Sequence, residues 1–295
     1  MRLVAVVLLI AGCGGKTEPQ VGSAAPPLAP QPAIVRDAPS ADASLPSAGS
    51  YDDLAGALTA IIPADARVLG FGELHSRTDR AQIKSTLARF TADALPMLAP
   101  KLSDLILETW VIDKGCGSAA TEASAKVQTT MHRPEATQTD IGDLANAARK
   151  AQIQPHAMRV TCDDYARIAP PGKPVDTPAM LDLTTRELGR IATEAVLHRD
   201  KEPNHRPWVA VYGGALHNDR FPAPGVEAWS YAAKVDDVTQ QHFVEIDLIA
   251  PELAAPDEVM QKQPWFPLVE HATAKFQVYK RGERSFVIVL PKAAA

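Results

Sequence analysis

A chain of 295 residues, 46% hydrophobic and 22% charged, is long enough to bury a full hydrophobic core. Its formal net charge is −5, with no basic stripe and no basic-aromatic interleaving. That excludes binding driven by phosphate neutralisation, so no nucleic-acid partner is expected.

The chain opens with Arg2 and then an apolar run, Leu3 to Ile10, too short to span a bilayer. The run ends in Leu9-Ile10-Ala11-Gly12-Cys13, which resembles a bacterial lipobox. Such signals are cleaved before the cysteine, which is then lipidated. Residues 1–12 therefore read as a lipoprotein signal peptide, with Cys13 as the lipidation site and the membrane as a partner through that lipid. Gly14, and not an aspartate, follows Cys13, which points to the outer membrane of a bacterial cell envelope. Residues 13–50 read as a lipidated, Pro/Ala-rich tether. Pro26-Pro27, Pro30, Pro32, Pro39 and Pro46, with few large apolar residues, leave too little surface to offset chain entropy. Residues 51–295 suit a single α/β domain.

Within the domain, Tyr51–Ile62 has the apolar spacing of an amphipathic helix. Strand-like runs follow at Arg67–Phe71, Asp104–Leu107, Ile153–Val160, Trp208–Tyr212, Phe243–Ile249 and Ser285–Leu290. Several are continuously apolar, as strands covered on both faces are. Between them lie helical patterns. Ser76-x-x-Asp79 reads as a capping box opening a helix through Ile83, Leu87 and Phe90. Ile141, Leu144, Ala147 and Ala148 mark another, and Thr177-Pro178 starts a long one. The alternation predicts a mostly parallel central sheet flanked by helices on both faces. Gly117–Gln138 and Asn218–Gln240 carry no decisive pattern. With Cys13 consumed by lipid, Cys116 and Cys162 remain, and an even pair in an oxidising compartment predicts a disulfide. The alternative use of either is as a nucleophilic thiol.

Two segments share one pattern at strand ends. Val68-Leu69-Gly70-Phe71 leads into Gly72-Glu73-Leu74-His75, and Trp208 to Gly213 leads into Gly214-Ala215-Leu216-His217. Carboxyl ends of parallel strands share the edge where α/β proteins bind ligands. A third run, Leu105-Ile106-Leu107-Glu108, delivers a carboxylate to the same edge, where a buried charge needs a partner. Glu73, His75, Glu108 and His217 are therefore the candidate catalytic set. Ser76 at a helix start would place positive partial charge beside His75 and favour its neutral form. His156, inside a strand, reads as a satisfied core histidine, and Asp163 and Asp164 as a solvated turn. Cys116 and Cys162 both lie just past strands and would pin two rim loops.

These motifs resemble the superfamily that joins ChaN-type haem-binding lipoproteins, TIKI/TraB-type proteins and erythromycin esterases. The resemblance covers most of residues 65–250 and rests on the paired Gly-x-x-His segments and the strand-borne Glu108. It implies an α/β core and one of two activities. The first is hydrolysis of an ester or peptide. Here His75, His217, Glu73 and Glu108 would bind a divalent metal (Zn, Mn or Fe) that activates water, or His75 or Glu73 would act directly as base. No Gly-x-Ser-x-Gly elbow is present, so no serine nucleophile is expected. The second is haem or iron uptake without catalysis, with His75, His217 or Tyr212 as cofactor ligand.

Overall fold

The computed structural model describes residues 48–111, 114–202 and 204–292. Cys13, the signal segment and most of the tether lie outside them. Eight strands form one sheet: β1 (Gly49–Tyr51), β2 (Val68–Glu73), β3 (Leu102–Val111), β4 (Gln154–Arg159), β5 (Trp208–Gly214), β6 (Phe243–Ile249), β7 (Phe276–Gly282) and β8 (Ser285–Val289). Their spatial order is β1-β7-β8-β6-β2-β5-β3-β4. Six expected runs are strands, and the pairs from β8 through β6, β2, β5 and β3 to β4 are all parallel. The sheet is mostly parallel because β7 runs antiparallel to both β8 and β1. Those two strands went unread: β1 is three residues long, and β7 is only partly buried.

The helices are α1 (Leu54–Ile61), α2 (Thr86–Arg89), α3 (Leu95–Leu98), α4 (Ser118–Thr130), α5 (Ala136–Lys150), α6 (Cys162–Ile168), α7 (Thr177–Arg199), α8 (Ala232–Val238), α9 (Pro251–Ala254) and α10 (Phe266–Glu270). They cover both faces. Leu54, Leu58, Phe90, Leu98 and Leu144 pack on one face against Leu69, Phe71, Leu105, Ala210 and Ile246. Leu188, Ile191, Val196 and Val235 pack on the other against Val68, Ile106, Val211 and Phe243. Each fully buried Leu, Ile or Val contributes about 1.5–3 kcal/mol by leaving water. Central strands β2, β5 and β6 are buried along their whole length, which explains their largely apolar sequences, with Glu73, Glu245 and Asp247 as the charged exceptions.

Local chemistry sets the helix starts. Asp53 caps α1 by accepting the Gly56 N–H at 2.6 Å, so Tyr51 belongs to β1 and not to the helix. The helix expected from Ser76 begins instead at Ser85, whose hydroxyl accepts the Ala88 N–H at 3.0 Å. Asp79 is drawn to Arg77 (3.0 Å) and makes no capping box, so the polar stretch between stays extended or turns briefly. Asp176 caps α7 one residue before Thr177. Segment 117–138 resolves into α4 and the start of α5, and segment 218–240 into a long loop and α8. Thr161 and Asp164 form a reciprocal capping box that starts α6.

Cys116 and Cys162 form a disulfide with Cα atoms 5.3 Å apart. It ties the turn before α4 to the first residue of α6.

Candidate functional site

Parallel register places the expected residues along one sheet edge. Gly72 on β2 is level with Gly213 on β5 and Asp247 on β6, and Glu73 is level with Gly214. Glycine is required there by crowding. A Cβ on Gly72 would lie 2.7 Å from the Ala215 Cα, and one on Gly214 would lie 2.9 Å from His75 Nε2. Beyond this edge lies a cavity of about 900 Å³. Glu73, His75, Glu108 and His217 all line it, under a wall that includes Trp110, Met131, Met180, Phe221 and Trp265.

His75 sits at the centre of an ion cluster. Its Nδ1 is 2.9 Å from Glu73 Oε1, and its Nε2 is 2.7 Å from Arg133 Nη2 and 3.4 Å from Glu108 Oε1. A guanidinium only donates, so Nε2 accepts from Arg133 and the ring proton rests on Nδ1, donated to Glu73. Glu73 is anchored in turn by the Tyr212 hydroxyl, which donates to Oε2 at 2.5 Å. Burial first, and then Glu73, push the Tyr212 hydroxyl well above its usual range, so it stays a donor. Glu108 accepts from Arg133 Nη2 at 2.8 Å and from the Gly214 N–H at 2.6 Å. Burial works to raise Glu108, but His75 and Arg133 outweigh it and hold it ionised, well below the carboxylate range.

The setting of His75 differs from the helix-end expectation. No helix begins at Ser76. Burial and Arg133 push the imidazole down, yet the paired carboxylates Glu108 and Glu73 win and its pKa is raised. His217 is the reverse case. Its Nδ1 is 2.8 Å from Thr185 Oγ1 and 3.0 Å from the Trp229 carbonyl. The carbonyl only accepts, so Nδ1 carries the proton and Nε2 keeps its lone pair. That Nε2 has no hydrogen-bond partner among the described residues. Burial lowers the His217 pKa more than Glu108 raises it, and the ring stays neutral.

Other candidates lie elsewhere. His156 is 2.7 Å from Asp104, which Arg199 also grips at 2.6 Å, so it is a satisfied structural histidine. Neither disulfide cysteine lines the cavity; α4, which begins two residues after Cys116, contributes Thr121, Ser124 and Gln128 to the lining.

Sequence reading missed several residues. Arg133 follows α4 through a left-handed turn at His132 (φ 51°), and nothing in its polar, alanine-rich surroundings marks it. Thr185 is mid-helix on α7. Asp247 had a readable signal: Glu245 and Asp247 are two acids in an otherwise apolar strand, Phe243–Ile249.

Among the described residues, no group of three or more His, Cys, Asp or Glu side chains could hold a metal ion. The donor set as arranged does not fit a resident divalent cation, because Arg133 already places a positive charge between His75 Nε2 and Glu108. Of the three expected haem ligands, both His75 nitrogens and the Tyr212 hydroxyl are engaged, and His217 Nε2 alone is free.

No protein-family model and no curated protein matches the chain. Among solved structures, the type III effector HopBA1 is similar over 77% of this chain and 88% of that one, at 12% identity and a TM-score of 0.39. A likeness at that level carries no argument about activity.

Proposed function

We propose that this is a lipid-anchored protein of the bacterial envelope that hydrolyses an ester in its strand-edge cavity without a resident metal. The anchor and compartment rest on the Leu9-to-Cys13 segment, and the superfamily on the paired Gly-x-x-His motifs. The observation that carries the chemistry is the chain Tyr212–Glu73–His75, in which a buried carboxylate fixes the imidazole tautomer. That is the arrangement of an oriented general base.

In this mechanism the ester carbonyl oxygen takes a hydrogen bond from Arg133, which is held in place by Glu108. Arg133 then releases His75 Nε2, whose lone pair accepts a proton from the attacking water. His217 Nε2 orients that water by accepting its second hydrogen. As the tetrahedral intermediate forms, negative charge develops on the carbonyl oxygen beside the guanidinium. The carboxylates of Glu73 and Glu108 stabilise the resulting imidazolium. The apolar wall of the cavity suits a ligand with a large apolar body.

The test is hydrolysis of p-nitrophenyl and alkyl esters by the purified protein and by Glu73→Gln. Wild-type cleavage that survives chelator and falls in Glu73→Gln supports the reading. Chelator-sensitive cleavage restored by Zn, Mn or Fe(II) overturns its metal-free part. The haem alternative is favoured by one observation, the free His217 Nε2 beside an apolar wall. Its mark is a Soret band on haem titration that His217→Ala removes.

A further inference from the structure

A second polar cluster faces the same cavity on the other side of Gly72. Asp219, Asp247 and Arg281 all line the cavity, and Glu245 lies behind them, fully buried. Arg281 grips two of the three carboxylates: Nη1 is 2.5 Å from Glu245 Oε1 and Nη2 is 3.0 Å from Asp219 Oδ1. Its nearest approach to Asp247 is 3.9 Å, beyond hydrogen-bond reach. The neighbouring Arg220 is committed to Asp236 (2.7 Å) and the Phe243 carbonyl (2.6 Å). Tyr231, packed nearby, is an unionised phenol. Three carboxylates thus share one guanidinium in a buried place, and an unpaired buried charge is costly. Asp247 is the one left over.

The hydrogen bonds around Asp247 agree. It accepts one bond, from Asn218 Nδ2 at 3.1 Å on Oδ1, and none reaches Oδ2 among the described residues. Asn218 is 1% exposed. Its Nδ2 is fixed by the Gly70 carbonyl at 3.0 Å, and its own Oδ1 is buried without a partner beside Asp247 Oδ1, both crowding Gly72. An ionised aspartate would normally collect several donors. Burial, then Glu245, push Asp247 well above the carboxylate range, with Arg281 and Asn218 opposing.

We infer that Asp247 is a second catalytic group of this cavity, the acid that delivers a proton to the leaving oxygen of the ester. The inference rests on the hydrolytic reading above. Water attacks the carbonyl carbon, and His75 takes one of its protons. The carbon–oxygen ester bond breaks, the Asp247 proton goes to the departing alkoxide, and the products are a carboxylic acid and an alcohol. The imidazolium proton then returns through solvent to Asp247, so the cycle balances without a co-reactant. Acid and base are thus kept apart by their surroundings: His75 has two carboxylates for company, and Asp247 has too few cations.

Two measurements on wild type and Asp247→Asn test this. The first is the infrared difference spectrum at neutral pH, in which wild type should show a protonated-carboxyl stretch that the variant lacks. The second compares an alkyl ester, whose alkoxide leaves only when protonated, with a p-nitrophenyl ester, whose phenolate leaves without help. Asp247→Asn should lose about 10²–10⁴-fold in kcat on the alkyl ester and far less on the aryl ester. No carboxyl band, or equal losses on both esters, overturns the proposal. If wild type cleaves neither ester, the hydrolytic reading itself falls, and the acid role with it, whatever the spectrum shows.

Discussion

The two Gly-x-x-His segments have one pattern and one kind of position, yet their imidazoles live in opposite fields. His75 is held by ions: Glu73 and Glu108 as carboxylates, Arg133 as guanidinium. His217 is held by neutral groups, the Thr185 hydroxyl and the Trp229 carbonyl. Spacing along a strand end fixes where a histidine sits. What it does is set by residues that arrive from elsewhere in the chain, here α7, the loop before α8, and the turn after α4.

The largest expected effect separates the two histidines by removal. His75→Ala should lower ester hydrolysis about 10²–10⁴-fold, the usual share of a general base. His217→Ala should lose on the order of tenfold, the share of one hydrogen bond to water. Steady-state kcat values decide it, and equal losses would dissolve the distinction.

Next comes the disulfide. Closing a loop across a sequence separation of 46 is worth about 4 kcal/mol in the chain-entropy treatment. Cys116→Ser with Cys162→Ser should lower the midpoint of denaturant unfolding accordingly. It should also loosen α4 and the turn carrying Arg133, so the His75 ring resonance should shift while that of His217 stays. A shift of both would mean that the bridge stiffens the whole edge.

A smaller effect probes crowding. Gly72→Ala puts a methyl 2.7 Å from backbone at Ala215, just before His217, so the neighbour cannot yield as a side chain would. Overpacking of this kind costs about 1–3 kcal/mol, readable as a lower Tm.

The gentlest test is pH. His75 should titrate above about 6.5 and His217 below it, followed by imidazole resonances. The raised His75 contributes stability that is full below the unfolded value and fades as pH rises through its folded value. The lowered His217 contributes stability present above the unfolded value and lost as pH falls through its folded value. Glu73→Gln should bring the two titrations closer by lowering that of His75.

Much of the scaffold was legible because buried parallel strands are written as continuous apolar runs. Phe243–Ile249 matches strand β6 end to end, and the shared edge for Glu73, His75, Glu108 and His217 follows from that geometry alone. Partnership was not legible. Arg133 lies 58 positions from His75, and no local pattern announces a contact set by a left-handed turn at His132. Ser76 and Asp79 looked like a helix start because the pattern ignores Arg77, which takes the aspartate for itself. Glu245 and Asp247 were the missed warning: acids inside an apolar strand need an explanation from beyond it.

The place of β2 in the sheet has a consequence for assembly in time. It lies between β5 and β6, so Val68 waits for Val209 and then Phe243 before both sides are paired. More than half the domain must therefore be present before the first histidine has its surroundings. Until then a largely apolar strand has at least one edge unpaired, the condition that favours slow folding and aggregation. A truncation that ends before residue 243 should leave β2 half-paired and the chain prone to aggregate, however intact its first motif.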